Sequence, residues 1–386
     1  LPTDLACFFG NIGLIAPGGC KSTTTDGPNQ NSANGRNFSN NEYDTAILTA
    51  NWDLDKVLVT YIGTSRDMDE VNMQHFDASP TNMLTMNFFN DWKQSSNELR
   101  LTSQFDGPFQ FVGGLYTFDV DYAQRWDVGD LHYVLSLTGW PNNPLQEVTK
   151  AGILDYYLTN LGYEPTYPLA PTSLNSNGQM QETESTAFFV SMDWDISDAL
   201  TLTVGGRYTV EEKDFVGGNL GIPWDPAAGD AVPGLYQAVS YNDEWKEFTP
   251  SASLSFQVND NVMVWGSASE GFKSGGFFGR QANFDLDSRY QPEYVTSYEL
   301  GMKSTFLDGR LTFNPTIFMS DYEDKQESIL IPVDTSNVAT VVRNASTEEI
   351  NGLELEVLYQ VSDKWFLRAN YGYIDASYKE YLADID

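Results

Sequence analysis

The sequence predicts an all-β fold, a transmembrane antiparallel β-barrel of which this chain holds about twelve strands. Three observations predict it: period-two alternation with one apolar face, very short polar turns, and long loops placed only between the hairpins that those turns create. No run of about 18 uncharged apolar residues occurs, so a spanning helix is excluded. Barrel strands need only about 9 to 11 residues with every second one facing lipid, so mean hydropathy can stay below zero, as it does here.

The alternation is clearest where Leu200, Leu202, Val204, Gly206, Tyr208 and Val210 interleave with Thr201, Thr203, Gly205, Arg207, Thr209 and Glu211. It returns in Ala252, Leu254, Phe256 and Val258 against serines, in Tyr298, Leu300 and Met302, and in Leu353, Leu355, Val357 and Tyr359. One face is greasy and the other is small or polar. Six turns punctuate these runs: Asp53-Leu54-Asp55, Asp106-Gly107-Pro108, Ser197-Asp198-Ala199, Asn259-Asp260-Asn261, Asp308-Gly309 and Ser362-Asp363-Lys364. Each is rich in residues that accept positive φ or cap a turn. Flanking strands of about 10 to 15 residues make six hairpins.

The other ends of the strands meet in Gly-, Pro-, Asn- and Asp-rich loops, at 1–42, 67–93, 124–182, 214–242, 274–291 and 328–340. Short turns on one side and long loops on the other are the polarity of an outer-membrane barrel, with periplasmic turns and extracellular loops. Trp52, Trp194 and Trp365 lie one to three residues from a turn, with Phe105 and Phe306 similarly placed, as a periplasmic aromatic girdle requires. One strand is untidy: Phe109 and Phe111 occupy one phase and Tyr116, Phe118, Val120 and Tyr122 the other, across Gly113-Gly114. Either a bulge at the glycines switches the phase or the register is mixed there.

Lys plus Arg numbers 21 against 54 Asp plus Glu, a formal charge of −33. That field repels a polyanion, so nucleic acid is not an expected partner. Divalent cations bridging the acidic surface to lipopolysaccharide and outer-membrane lipid are expected from charge alone. An enzyme is not expected: there is no G-x-S-x-G elbow, H-E-x-x-H pair or phosphate loop, and the only imidazole bases are His75 and His132. His75 lies among Asp67, Asp69, Glu70 and Asp77, read as a solvated acidic loop in preference to a metal site; no cofactor and no metal centre are expected. Cys7 and Cys20 flank Pro17-Gly18-Gly19, a spacing that suits a small loop disulfide in an oxidising compartment, with two unpaired thiols as the alternative. The start at Leu1 shows no leader pattern, so the chain reads as mature or truncated.

The residues also resemble the TonB-dependent receptor family of outer-membrane transporters. The most specific segment is Trp265 to Phe278, WGSASEGFKSGGFF, similar to a strand-to-loop signature of that family. Pro292-Glu293-Tyr294 with Ser297-Tyr298-Glu299-Leu300-Gly301-Met302-Lys303 is similar to its P-E-x-x-x-x-Y-E-L-G-x-K strand. Asn314 to Asp324, Asn344-Ala345, Gly352-Leu353-Glu354-Leu355-Glu356, Asn97-Glu98-Leu99-Arg100-Leu101 and Gly113-Gly114-Leu115-Tyr116 fit the same order, so the likeness covers 43–378. It implies a barrel of about 22 strands with a plugged lumen, of which this chain holds roughly strands five to sixteen. The chain is then one partial barrel domain, 1–386, without the plug domain or the closing C-terminal strands. The resemblance further implies a receptor in the outer membrane of a Gram-negative bacterium. It would import a scarce bulky nutrient, a ferric siderophore or other metal chelate ahead of an oligosaccharide, driven by a TonB-type energy-coupling complex acting through the plug.

Bulky chelates and glycans are held by stacking and shape more than by single charges. The candidate ligand contacts are therefore the loop aromatics Trp140, Tyr156, Tyr157, Trp224, Phe277 and Phe278, with Lys273 and Arg280 near the rim to pair with an anionic group. A passive porin-like diffusion channel is the alternative; it shares the alternation, but the strand at 292–303 argues against it. A soluble adhesin-like β-domain would not place every long loop on one side.

Overall fold

In a computed structural model, residues 38–75, 85–129, 173–220, 235–279, 286–332 and 338–381 are described. All of their regular structure is β. Twelve strands form one antiparallel sheet in the order β1 (Phe38–Asp53), β2 (Val57–His75), β3 (Thr85–Ser103), β4 (Phe109–Gly129), β5 (Ser173–Ser197), β6 (Leu200–Leu220), β7 (Leu235–Asn259), β8 (Val262–Lys273), β11 (Glu293–Phe306), β12 (Leu311–Pro332), β13 (Val338–Ser362) and β14 (Trp365–Tyr381). A second, two-stranded sheet, β9 (Gly276–Phe277) with β10 (Arg289–Tyr290), lies between β8 and β11 in the chain. β1 and β14 are the edges of the large sheet.

All six predicted turns join neighbouring strands. Asp55, Asp308 and Gly309 take positive φ there, at 68°, 56° and 82°, which is why short Asp- and Gly-rich sequences suffice to reverse the chain. Ten of the twelve strands are longer than expected, reaching 25 residues in β5, β7 and β13, whereas β8 at 12 and β11 at 14 stay within the expected length. Segments expected as loop, such as 67–75 and 85–93, continue the pairing without a shift from Val57↔Ser103 to His75↔Thr85. Their Asp, Glu and Asn content reads as loop because these residues are depleted in strands, yet a strand standing clear of lipid carries them without burying a charge.

Register settles the untidy strand. β4 pairs continuously with β3 from Thr85↔Gly129 to Thr102↔Val112, with no bulge at Gly113-Gly114. The two aromatic sets therefore lie on opposite faces. Phe109, Phe111 and Leu115 share the outer face with Trp194, Met192 and Phe188, their partners on β5. Tyr116, Phe118, Val120 and Tyr122 point the other way, and the Tyr122 ring meets Trp92 edge-on at 5.2 Å.

The same register runs a belt of large apolar side chains across the outer face: Leu99, Leu115, Phe188, Tyr208 and Phe248 are successive partners from β3 to β7, all exposed. From Leu200 to Val210 on β6, ten steps of roughly 3.4 Å at about 45° tilt span roughly 24 Å, close to the apolar band of about 25 Å on a membrane barrel. Aromatics mark its turn end, where Phe109 stacks on Trp194 at 5.6 Å and Phe105 tilts on Phe111 at 5.9 Å. At the other end the outer face turns acidic. Register sets carboxylates opposite one another as Asp44↔Asp67, Asp69↔Asp91, Asp121↔Glu182, Glu182↔Asp214, Glu184↔Glu212 and Glu212↔Glu244. Facing like charges are destabilising in a sheet.

The inner face is polar: Thr64 and Ser96 share a hydrogen bond of 2.6 Å, Arg100 pairs with Glu98, and Asn314 donates to Glu356 at 3.0 Å. Large rings on this face cover the space above glycines on the neighbouring strand, Phe189 at Gly114, Trp265 at Gly301 and Phe318 at Gly352.

Candidate functional site

The segment following β8 returns over the inner face at the long-loop end of the sheet and builds a buried aromatic cluster there. Its two flanks, 274–279 and 286–292, are joined by the β9–β10 pairing and by the Phe278 amide donating to the Ser288 carbonyl at 2.8 Å. Inward alternation on β6 and β7 supplies the floor: Glu211, Lys213 and Phe215 pair with Trp245, Asp243 and Tyr241. Phe277 inserts among the rings, stacked at 5.3 Å on Phe215 and 5.6 Å on Tyr241, with Trp245 tilted at 6.3 Å. Phe215, Trp245 and Phe277 are buried, each at 6% exposure or less. Ring pairs of this kind add about 0.5–1.5 kcal/mol beyond the area they bury.

Polar contacts fasten the segment. The Lys213 ammonium donates to Ser274 Oγ and to the Gly275 carbonyl, both at 2.7 Å, and pairs with Glu211 at 3.1 Å. The Ser274 hydroxyl passes the chain of bonds on, donating to Glu211 at 2.5 Å. The Lys213 head also sits 5.3 Å from the Trp245 ring centre. This explains the residue types in the signature. A Cβ at Gly275 would lie 2.6 Å from the Trp245 ring and from the Tyr290 carbonyl, and one at Gly276 would lie 2.7 Å from the Tyr290 hydroxyl. Only glycine lets the backbone approach so closely.

On the other flank, the Asn344 side chain donates to the carbonyls of Gln291, Pro292 and Asp324 and accepts from the Gln291 amide at 2.7 Å. Gln326 donates to the Ser274 carbonyl at 2.9 Å and the Gln291 carbonyl at 3.1 Å, and its amide donates to Glu293 at 2.8 Å. Arg343 donates to the Asp287 carbonyl at 2.7 Å. Arg289, half exposed, makes a two-pronged pair with Asp287 at 2.9 Å for both bonds and lies over the Tyr241 ring at 5.4 Å. That pairing holds the Asp287 carboxyl below its ordinary pKa and raises Arg289. Tyr294 donates to Glu247 at 2.7 Å.

Of the residues proposed from sequence, Lys273 ends β8 with an exposed side chain, 3.9 Å from Glu293. Phe277 lies inside the ring cluster and Phe278 beside it. Trp140, Tyr156, Tyr157, Trp224, Arg280, Cys7, Cys20 and His132 lie outside the described residues, and His75 ends β2. Among the described residues no group of three or more His, Cys, Asp or Glu side chains is placed to hold a metal ion. Sequence reasoning missed Lys213, Phe215, Tyr241, Trp245 and Arg289. The signal was the unbroken alternation of Glu211-Lys213-Phe215 and Val239-Tyr241-Asp243-Trp245 through segments taken as loop.

An open antiparallel sheet with an outward apolar belt and an inward-folded segment at one rim is the wall of a membrane barrel. Residues 10–386 match the family model described as TonB dependent receptor-like, beta-barrel. The chain belongs to this family. It is therefore barrel wall of the outer membrane of a Gram-negative bacterium, with the apolar belt facing lipid and the face that carries the inward-folded segment toward the lumen. Among curated relatives it is 24% identical over 333 residues to the ferric-pyoverdine M114 receptor PbuA of Pseudomonas sp. (strain M114), covering 83% of this chain and 36% of that protein. It is 22% identical over 305 residues to the probable TonB-dependent siderophore receptor PiuA of Acinetobacter baumannii, covering 74% and 36%. Among solved structures, the ferric yersiniabactin uptake receptor FyuA of Yersinia pestis superposes with a TM-score of 0.64 at 16% identity, over 89% of this chain and 43% of that one. The chain thus spans about a third of the length of these curated relatives.

Proposed function

We propose that the parent protein is an energy-coupled importer of a ferric siderophore or another metal chelate. The observation that carries the reading is the aromatic and cationic face of Tyr241, Arg289 and Lys273 at the lumenal rim, with Phe277 packed beneath it, in a family whose matched relatives are named as receptors for such chelates. In this reading the ligand enters from the long-loop side and touches Lys273, Phe278 and Arg280 at the rim. Trp140, Tyr156, Tyr157 and Trp224 reach it from the long connections, while Phe277 holds the rim's shape from below. Release into the periplasm is driven by a TonB-type complex acting through a plug carried by the rest of the protein. The acidic outer collar stands beyond the apolar belt, and its charge supports lipopolysaccharide bridged by divalent cations as its partner in this reading.

The test is uptake of iron-55 presented on a panel of siderophores, by iron-starved cells expressing the full-length protein with and without a working TonB complex. Accumulation of one chelate that stops without TonB is expected. Accumulation that persists without TonB would replace the reading with a passive pore, and failure of every chelate would overturn the substrate class.

A further inference from the structure

The large sheet has a gap in its rim. β7 pairs with β8 only as far as Ser251↔Ser269, leaving residues 235–250 of β7 without a β8 partner. β11 pairs with β12 only from Tyr294↔Glu323 onward, so residues 324–332 of β12 likewise extend past it. β8 and β11 stop together at the Lys273↔Glu293 pair, 12 and 14 residues long between neighbours of 25 and 22. The order β7-β8-β11-β12 puts three inter-strand steps of roughly 4.8 Å between the two unpaired edges, a notch about 14 Å wide. Exposed edges of this length are what sheets cover or blunt.

The flanks 274–279 and 286–292 lie across this notch, and their fastenings divide between its two sides. Lys213 and the Phe215–Tyr241–Trp245 floor hold Ser274, Gly275 and Phe277 on the β6–β7 side. Asn344, Arg343 and the apolar group of Ile329, Val341 and Leu286 hold the second flank on the β12–β13 side. Gln326, from β12, bonds both flanks. Side chains here do what ladder hydrogen bonds do elsewhere in the wall.

We infer that the 274–279 and 286–292 flanks form a tie that spans a notch in the barrel wall and fixes the separation of the β6–β7 and β12–β13 rims, with Lys213 and Asn344 as its two anchors. The claim concerns the wall and stands whether or not a chelate is the ligand. It also gives the Lys-Ser-Gly-Gly run a mechanical reason: Ser274 links anchor to carboxylate, and the glycines let the tie lie flush.

The experiment is a double electron–electron resonance distance between spin labels on Ser240→Cys in β7 and Thr340→Cys in β13, both exposed, in the full-length protein carrying Cys7→Ser and Cys20→Ser in outer membranes. With the tie intact a single narrow distance distribution is expected. Lys213→Met with Asn344→Ala should broaden it at least twofold while the heat-modifiable gel shift of the folded barrel persists. Ser274→Ala, which leaves every strand untouched, should broaden it in the same direction by less. An unchanged width in the folded double variant would overturn the inference. Should that variant fail to reach the membrane, an unchanged width in Ser274→Ala would overturn it alone.

Discussion

Adding one methyl group at Gly352 should destabilise the barrel, whereas the same change at Gly107 should not. Phe318 lies directly opposite Gly352, and a Cβ there would fall 2.2 Å from Phe318 Cζ and 2.5 Å from Cε1. That is about 1.2 Å short of the 3.4 Å at which ordinary contact begins, so the ring must lift off the wall toward the lumen or the strands must part. Overpacking of this size costs about 1–3 kcal/mol, roughly a 5- to 150-fold loss in the folding equilibrium. At Gly107, in the turn between β3 and β4, a Cβ meets nothing within 4 Å. Alanine there restricts only the unfolded chain and should be neutral or stabilising by up to about 1 kcal/mol. The assay is guanidinium unfolding of the full-length protein in liposomes, read from the heat-modifiable gel shift. Shortening the ring as well, in Gly352→Ala with Phe318→Leu, should recover part of the loss, because residues in contact are not additive. Equal midpoints for Gly352→Ala and Gly107→Ala would refute the idea that the ring rests on the glycine.

If divalent cations bridge the acidic collar to anionic headgroups, chelator should make the protein easier to extract from outer membranes. Replacing Glu182, Glu184, Glu212 and Asp214 with Gln or Asn should abolish that sensitivity; extraction that ignores chelator in the unaltered protein would sink the idea. Asp287 sits below its ordinary pKa because Arg289 bonds it, so the stability that pair adds to the 286–292 flank is present above the unfolded-state value and is lost as pH falls through the lower folded value. The 240–340 label distance should therefore stay narrow down to about pH 4 and broaden only in stronger acid; broadening already at pH 5 to 6 would assign the transition to another group.

The turns and the outer belt were legible because each is written in neighbouring residues: a turn needs a few positions that accept positive φ, and a lipid-facing strand needs only alternation. What sequence could not give was position along the membrane normal. Strands 67–75 and 119–129 keep their pairing while their outer positions change from apolar to Asp, so composition marks where lipid ends and not where the strand ends. The rim site was harder still. Lys213 and Ser274 lie 61 residues apart, and their contact depends on β8 and β11 being short, a fact visible only in the register. Phe277 was singled out as a loop aromatic for ligand contact, but nothing local distinguishes a ring facing ligand from one packed beneath the tie.

The charge of the collar also bears on neighbours in a crowded membrane. Each barrel meets the next with carboxylates from at least seven consecutive strands at one height, answered there by few cations such as Lys93 and Lys246. Across a screening length of about 8 Å at physiological salt, two such stretches of wall brought face to face repel. Their close approach therefore depends on the supply of counterions that neutralise the carboxylates as well as on the protein surface itself.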